Sequence, residues 1–503
     1  MSLYIIGIGG TGAKCIEAII QLAAIGLFSE ETLHILFVDA DETNGNLDRA
    51  LKSLDIYQKC QNLKIGDKHP WMKTKIDSFG LWSPFANTSV NKNLGSFFEY
   101  NNLKQDEPAL GNLFDVLYTS DERDANLDVG FRGRPAIGAA VMSQVKLNAL
   151  DMSDSWGRLM NQIQTDTGAG TRPKVFLCGS IFGGTGASGL PTIGRLIHNK
   201  LETLKIRQKV DIGCLFVLPY FGFTPTLGED AEKVYARSEQ FLLNTEAALR
   251  YYGSQAQDTF NTVYLLGNQN LSPVKVFSVG KNTQRNDPHF IEMYAALAAR
   301  QFLLKTPPGE GTVVLINRES LKNLIWKDIP DQREVLTELV NATRFAFVWL
   351  SNIVPELIRA KEIGENKFRI GAPWFVKFFP VERGIFGRNR DNNADFNDPE
   401  QKDAIELITS WCQDYLRWMS QIHQCRDEKI QLFNTQHFGN LKGVINPENL
   451  SNLIVGQGDS REQNQKSKDT VQKLKERLNP EVISLPKQGI AGLAKALYLV
   501  CRL

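Results

Sequence analysis

The chain opens on an unbroken apolar run, LYIIGI (residues 3–8), the pattern of a short strand buried on both faces. A glycine run follows, and apolar positions then recur at helical spacing over residues 14–27. LHILFVDAD predicts a second strand that ends in acids. Further on, the pattern predicts a helix over 136–164, strand KVFLCGS, a second glycine run and a helix over 189–204. Strand VDIGCLFVLP, a helix over 230–252 and strand NTVYLLG complete the series. Buried strands alternating with helices at this spacing predict a parallel, doubly wound sheet. There is no internal repeat of fixed period.

Between the second strand and residue 136 the pattern lapses. Residues 51–127 are Asn-rich and aromatic, with KHPWMK and LWSPFANTS, and are expected to be an insertion with some helix. Over residues 288–304, Ile291, Tyr294, Ala295, Leu297, Ala298 and Phe302 fit a core-facing helix. A helix over 333–353, strand character in FRIGAPWFVKFFPV, a polar loop in GRNRDNNADFNDPEQ and a helix over 405–432 follow. Residues 456–475 are rich in Gln, Ser, Asp and Lys and are expected to be mobile. The closing segment IAGLAKALYLVCRL reads as an amphipathic helix that docks on the body, in preference to a membrane anchor.

Composition narrows the class. A chain of 503 residues, 42% hydrophobic and 22% charged, can bury more than one core. Lys and Arg total 57 against 56 acids, so the net charge is +1 and no basic footprint points to nucleic acid or membrane. The seven cysteines are scattered without a CxxC pair, and the histidines show no HExxH spacing. Reduced thiols, no targeting segment and no apolar run of spanning length together predict a soluble, cytoplasmic protein.

The candidate chemistry lies in two glycine loops that each follow a buried strand and open a helix. They are Gly7-Ile8-Gly9-Gly10-Thr11-Gly12 and Gly183-Gly184-Thr185-Gly186-Ala187-Ser188. Glycine lets the backbone approach a phosphate, and a helix N-terminus offers free N–H groups and a positive dipole end. A Walker A reading of the first loop fails, because Ala13 separates Gly12 from Lys14 and Cys15 stands where Ser or Thr would hold magnesium. A dinucleotide reading fits GxGxxG, with Asp39 or Asp41 for a ribose hydroxyl, and would imply an NAD-dependent oxidoreductase. It leaves the second loop unused, and no catalytic His or Lys constellation accompanies it. A third reading uses both loops.

FGGTGASG resembles the GGGTG[ST]G signature of the tubulin and FtsZ superfamily, with Phe182 in place of the first glycine and Ala187-Ser188 in place of the last two residues. GIGGTGAK resembles that family's first loop and VDAD the end of its second strand. GFRGRPAIG, with Gly130, Pro135 and Gly138, resembles its third phosphate loop. The parts keep the family's order over about residues 1–335 and are most similar to divergent bacterial tubulin-like proteins. The resemblance implies an α/β fold: a doubly wound parallel-sheet GTPase domain, a central helix, a second α+β domain and a helical C-terminal part. It places the nucleotide-binding domain at 1–285, with the insertion at about 51–127. The central helix falls at 286–306, the second domain at 307–400 and the C-terminal region at 401–503.

The same resemblance implies GTP or GDP with Mg2+ as ligand. Gly9, Gly10, Thr11, Gly12, Gly133, Gly183, Gly184, Thr185 and Gly186 would surround the phosphates, beside Asp39 and Asp41. Guanine offers N1–H and N2–H₂ donors, so its site needs acceptors. Family positions for these match Asn268 after a strand and Asn286 or Asp287 before the central helix. Asn268 equally suits a turn and Asn-Asp-Pro a helix start. Hydrolysis in the family uses a loop from the neighbouring subunit. Here Trp326-Lys327-Asp328-Ile329-Pro330-Asp331 keeps the two acids, Asp328 and Asp331, but carries Trp where the family has Asn. Asp331 equally suits the cap of the following helix. No magnesium ligand is assigned.

Head-to-tail self-association follows from the resemblance, a contact that does not close and so builds filaments. The alternative is a non-polymerising, nucleotide-sensing scaffold or regulator with protein partners in a multiprotein system, suggested by the altered loop and the insertion.

Overall fold

LYIIGI forms β1 (Leu3–Ile8), and every residue in it is buried. The first glycine loop runs directly into α1 (Gly9–Ala24), then come β2 (Leu33–Val38), α2 (Gly45–Gln61) and β3 (Ile76–Trp82). After four short helices between residues 94 and 124, α3 (Pro135–Met142) and α4 (Ser155–Gly168) lead to β4 (Lys174–Ser180). The second glycine loop opens α5 (Gly184–Thr203), followed by β5 (Asp211–Val217), α6 (Gln240–Thr259), β6 (Thr262–Leu266), α7 (Phe290–Leu304) and β7 (Thr312–Ile316). This computed structural model describes residues 2–28, 31–63, 71–86, 91–148, 150–222, 240–274, 281, 284–305, 311–317, 323–380, 394–425, 429–438, 450–455, 470–478 and 489–502.

The chain divides into two compact units, the first made of residues 1–19, 31–51 and 76–317. Among the described residues its main sheet has seven strands, all parallel, in the order β3-β2-β1-β4-β5-β6-β7. Alternate strand residues face opposite layers. Val175 and Leu177 of β4 join a core with Leu190, Ile193 and Ile197 of α5. Phe176, between them, meets Phe302 of α7 on the other face, their ring centroids 5.5 Å apart. This is the doubly wound α/β sheet that the alternating pattern predicts. The direction of winding reverses between β1 and β4, which lie side by side, and ligands of such sheets bind at the carboxyl ends of strands flanking that reversal.

Several elements differ from the sequence expectation. Residues 76–82, expected inside an insertion, form edge strand β3; a bulge opposite Ile35/Leu36 breaks its alternation. The helix expected over 136–164 is two helices, because Asp154 accepts hydrogen bonds from Trp156 N and Gly157 N and starts α4 afresh. The central helix begins at Phe290 and not at 286, where His289 and Glu292 form a capping box.

The second unit comprises residues 20–30, 52–75 and 318–503. It holds α8 (Gln332–Val348), α9 (Pro399–His423) and α10 (Gly489–Cys501). Trp71, from the KHPWMK stretch, packs edge-on against Phe345 and Trp411, with centroids 4.4 and 5.0 Å away, and tilted against Tyr498 at 5.2 Å. FRIGAPWFVKFFPV, read as strand-like, instead forms helices Glu365–Gly371 and Pro373–Phe378, burying Phe368, Ala372, Phe375 and Phe379 at helical spacing. Of the segment expected to be mobile, 456–469 lies outside the described residues. Thr470 caps a helix over Val471–Arg477. Residues 230–239 of the predicted helix and 387–393 of the polar loop also lie outside the described residues. Among the described residues no helix is long and apolar enough to cross a membrane.

Candidate functional site

The backbone determines the site before any side chain does. β1 and β4 end side by side, so the loops that leave them, and the helices those loops open, meet at one edge of the sheet. Gly9 has φ +73°, a left-handed conformation that L side chains rarely adopt, and a Cβ there would lie 3.2 Å from Thr185 Cβ. A Cβ on Gly184 would lie 3.0 Å from Phe131 Cβ and 3.1 Å from Gly133 N, which brings the third loop against the second. The three loops line a single pocket.

Both helices end there with their N–H groups forward. α1 starts at Gly9 and α5 at Gly184; neither has an acid in its first turn, and the N-cap Gly183 supplies no side-chain acceptor. The first turn of a helix leaves several N–H groups without an intrahelical partner and carries partial positive charge. Two such turns converging on one pocket make a cradle for an anion.

The acids at the end of β2 form one wall. Asp39 is buried, and loss of solvent raises its carboxyl to about 7, although Asp41 N donates to its Oδ1 at 3.2 Å. Its Oδ2 is buried with no hydrogen-bond partner among the described residues. Asp41 is engaged on both oxygens: Oδ1 accepts from Thr43 N and Oγ1 in its own turn, and Oδ2 from the distant Lys281 N at 2.6 Å. The orphaned Asp39 oxygen fits a contact to a cation or a hydroxyl. Among the described residues no cluster of three His, Cys, Asp or Glu forms a metal cage.

Lys14 lines the pocket but its charge is committed. It pairs with Glu292 of α7 at 2.5 Å, both side chains buried, and Tyr220 OH donates to the same carboxylate at 2.7 Å. This disposes of a Walker-type lysine on structural grounds as well. Phe182, the residue in place of the signature's first glycine, packs with Phe241 and Phe221, centroids 4.8 and 5.4 Å away, as an aromatic wall.

Of the residues singled out from the sequence, Gly9, Gly10, Thr11, Asp39, Asp41, Gly133, Gly183, Gly184, Thr185, Gly186 and Asn286 line the pocket. Gly12 stands one step behind, where a Cβ would lie 2.6 Å from Gly7 C and 2.7 Å from Cys178 O, and lets α1 lie against β1 and β4. Asn268 and Asp287 are outside the lining; Asn268 Nδ2 donates to Asn270 O at 3.0 Å, within its own turn. Asp328 and Asp331 belong to the second unit. Asp328 accepts from Ile325 N at 2.8 Å, and neighbouring Trp326 is buried with its indole N–H on Val455 O. Asp331 heads α8 with φ +51° and makes no side-chain cap bond.

Sequence reasoning missed Asn44, Asn46, Gln284, Phe221 and Phe241 as lining residues. Asn44-Gly45-Asn46 has the composition of an ordinary turn, so nothing local marked it.

No protein-family model matches the sequence, and no curated protein does. Among solved structures the chain is similar to CetZ2 from Haloferax volcanii, a GTPγS-bound protofilament, at 15% identity over 60% of this chain and 59% of that one, TM-score 0.27. It is similar to CetZ1 from Haloferax volcanii, a GDP-bound monomer, at 12% identity over 53% of this chain and 51% of that one, TM-score 0.26. TubZ of Clostridium botulinum phage c-st matches at 12% identity over 59% of this chain and 58% of that one, TM-score 0.23. The chain thus spans between half and three fifths of the length of these structures. Overlaps this loose carry no argument about what the chain binds or does. The likeness to the tubulin/FtsZ group rests on what the molecule itself contains: a parallel sheet, two glycine loops on neighbouring strands, and a helix across the opposite face.

Proposed function

We propose that this protein binds a guanine nucleotide, GTP or GDP, with its phosphates between the N-termini of α1 and α5. The observation that carries the reading is the convergence of the two glycine loops, remote in sequence, within van der Waals reach at Gly9 and Thr185. A dinucleotide oxidoreductase needs only the first loop, so the shared pocket favours the polyphosphate. Mg2+ would neutralise phosphate oxygens there, and the free oxygen of Asp39 is the group in the pocket suited to contact its shell. The backbone N–H groups of residues 9–11 and 184–186 hold the phosphates, and the aromatic wall of Phe182, Phe221 and Phe241 excludes water.

We further propose hydrolysis at a head-to-tail contact between copies, where Asp328 and Asp331 of one copy face the terminal phosphate in the next and orient water. Such a contact does not close and builds filaments. Identification of the nucleotide that copurifies tests the first step; a protein that retains no guanine nucleotide and binds none by calorimetry sinks it. Hydrolysis measured over a range of protein concentrations tests the second, with a rate per molecule that climbs with concentration. A second reading, a nucleotide-sensing scaffold that does not assemble, is favoured by the burial of Trp326 beside the two acids. Sedimentation with and without GTP separates the two.

A further inference from the structure

One side of the pocket is built from side-chain amides, and their hydrogen bonds fix which way each amide points. Asn286 N donates to Asn46 Oδ1 at 2.9 Å, Asn46 N to Asn44 Oδ1 at 2.9 Å, and Asn44 Nδ2 to Gln284 Oε1 at 2.9 Å. Each carbonyl of Asn44, Asn46 and Gln284 therefore accepts one bond within the chain of amides, which fixes its direction, and each NH₂ keeps a proton to give. Asn44 and Asn46 are 3% and 2% exposed, so these donors are withdrawn from bulk water. Both nitrogens lie beside Gly10, where a Cβ would come within 3.2 Å of Asn44 Nδ2 and 3.4 Å of Asn46 Nδ2, with Asn44 Oδ1 at 3.5 Å. Asn44, Asn46, Gln284 and Asn286 all line the pocket.

The wall is neutral. Lys14 is committed to Glu292, and Arg49 donates to Glu17 at 2.7 Å and to Asn286 O at 2.8 Å. Neutral, oriented donors read neutral acceptors, whereas the phosphate cradle lies on the other flank of the first loop, where Gly9 meets Thr185. Guanine presents two adjacent acceptors, O6 and N7, on one edge; adenine presents N7 beside an N6–H₂ donor that would oppose an N–H here. We propose that Asn44 and Asn46, oriented by Gln284 and Asn286, select the base by donating to the O6/N7 edge of guanine. This inference rests on the nucleotide reading above and assigns base choice to residues other than Asn268 and Asp287.

The test compares GTP, ITP, 7-deaza-GTP and ATP on the full chain by calorimetry, then repeats GTP and ATP on Asn46→Asp. ITP keeps O6 and N7 and is expected within a few-fold of GTP. Removing N7 is expected to cost about tenfold, and ATP to bind about 10- to 100-fold more weakly than GTP. Asn46→Asp keeps the acceptor for Asn286 N and replaces the NH₂ donor with an acceptor, so the GTP-to-ATP ratio is expected to fall at least tenfold. Equal binding of GTP, 7-deaza-GTP and ATP, or an unchanged ratio in Asn46→Asp, overturns the inference and leaves nucleotide binding standing. Failure of the wild-type chain to bind any of the four overturns both. The analogue series on the wild type decides the matter should Asn46→Asp not fold.

Discussion

Burial raises the Asp39 carboxyl to about 7, and that shift ties the stability of the first unit to pH. An exposed aspartate ionises near 3.8, so between roughly pH 4 and 7 the folded chain keeps a proton that the unfolded chain has released. Folding is therefore penalised increasingly as pH rises through that window, and the penalty is complete above 7. Asp39→Asn is expected to raise stability at pH 8 by on the order of 1–4 kcal/mol and to leave it unchanged near pH 4. Urea midpoints across that range check this; a difference independent of pH would refute the shift. Gly12→Ala acts differently, because its Cβ would meet main-chain atoms at 2.6 and 2.7 Å that cannot rotate away. A loss of about 1–3 kcal/mol is expected in thermal or urea unfolding.

At the scale of elements, the buried pair Lys14–Glu292 ties the second turn of α1 to α7. Lys14→Met leaves a buried carboxylate without its partner and is expected to cost about 3–5 kcal/mol. Adding Glu292→Gln should restore most of that, a non-additivity that a double-mutant cycle reads directly. The same scale shows what a sequence can reveal. β1, β2, β4 and β5 are legible because burial on both faces demands unbroken apolar runs. Edge strands escape that demand: β3 is half-buried and bulged, while Val313 and Leu315 of β7 are 56% and 71% exposed. The glycine cradle is legible too, since glycine is required wherever main chain approaches main chain. The amide wall is not, because its meaning comes from a hydrogen-bond chain linking residues 44–46 to 284–286, which no local spacing encodes.

For the molecule as a whole, the aromatic core of the second unit joins distant stretches of chain. Trp71→Ala removes a fully buried indole packed on Phe345, Trp411 and Tyr498 and is expected to cost about 3–5 kcal/mol. Hydrogen exchange should report it as lost protection in α8, α9 and α10, with β1 and β4 retained; uniform loss along the chain would contradict two separate cores. Because Tyr498 lies more than 400 residues further along the chain, Trp71 stays uncovered on that side until residue 498 has been made. During synthesis of that stretch the nascent polypeptide thus carries an indole not yet covered, and a chain released before residue 498 would offer that greasy surface to chaperones and proteases.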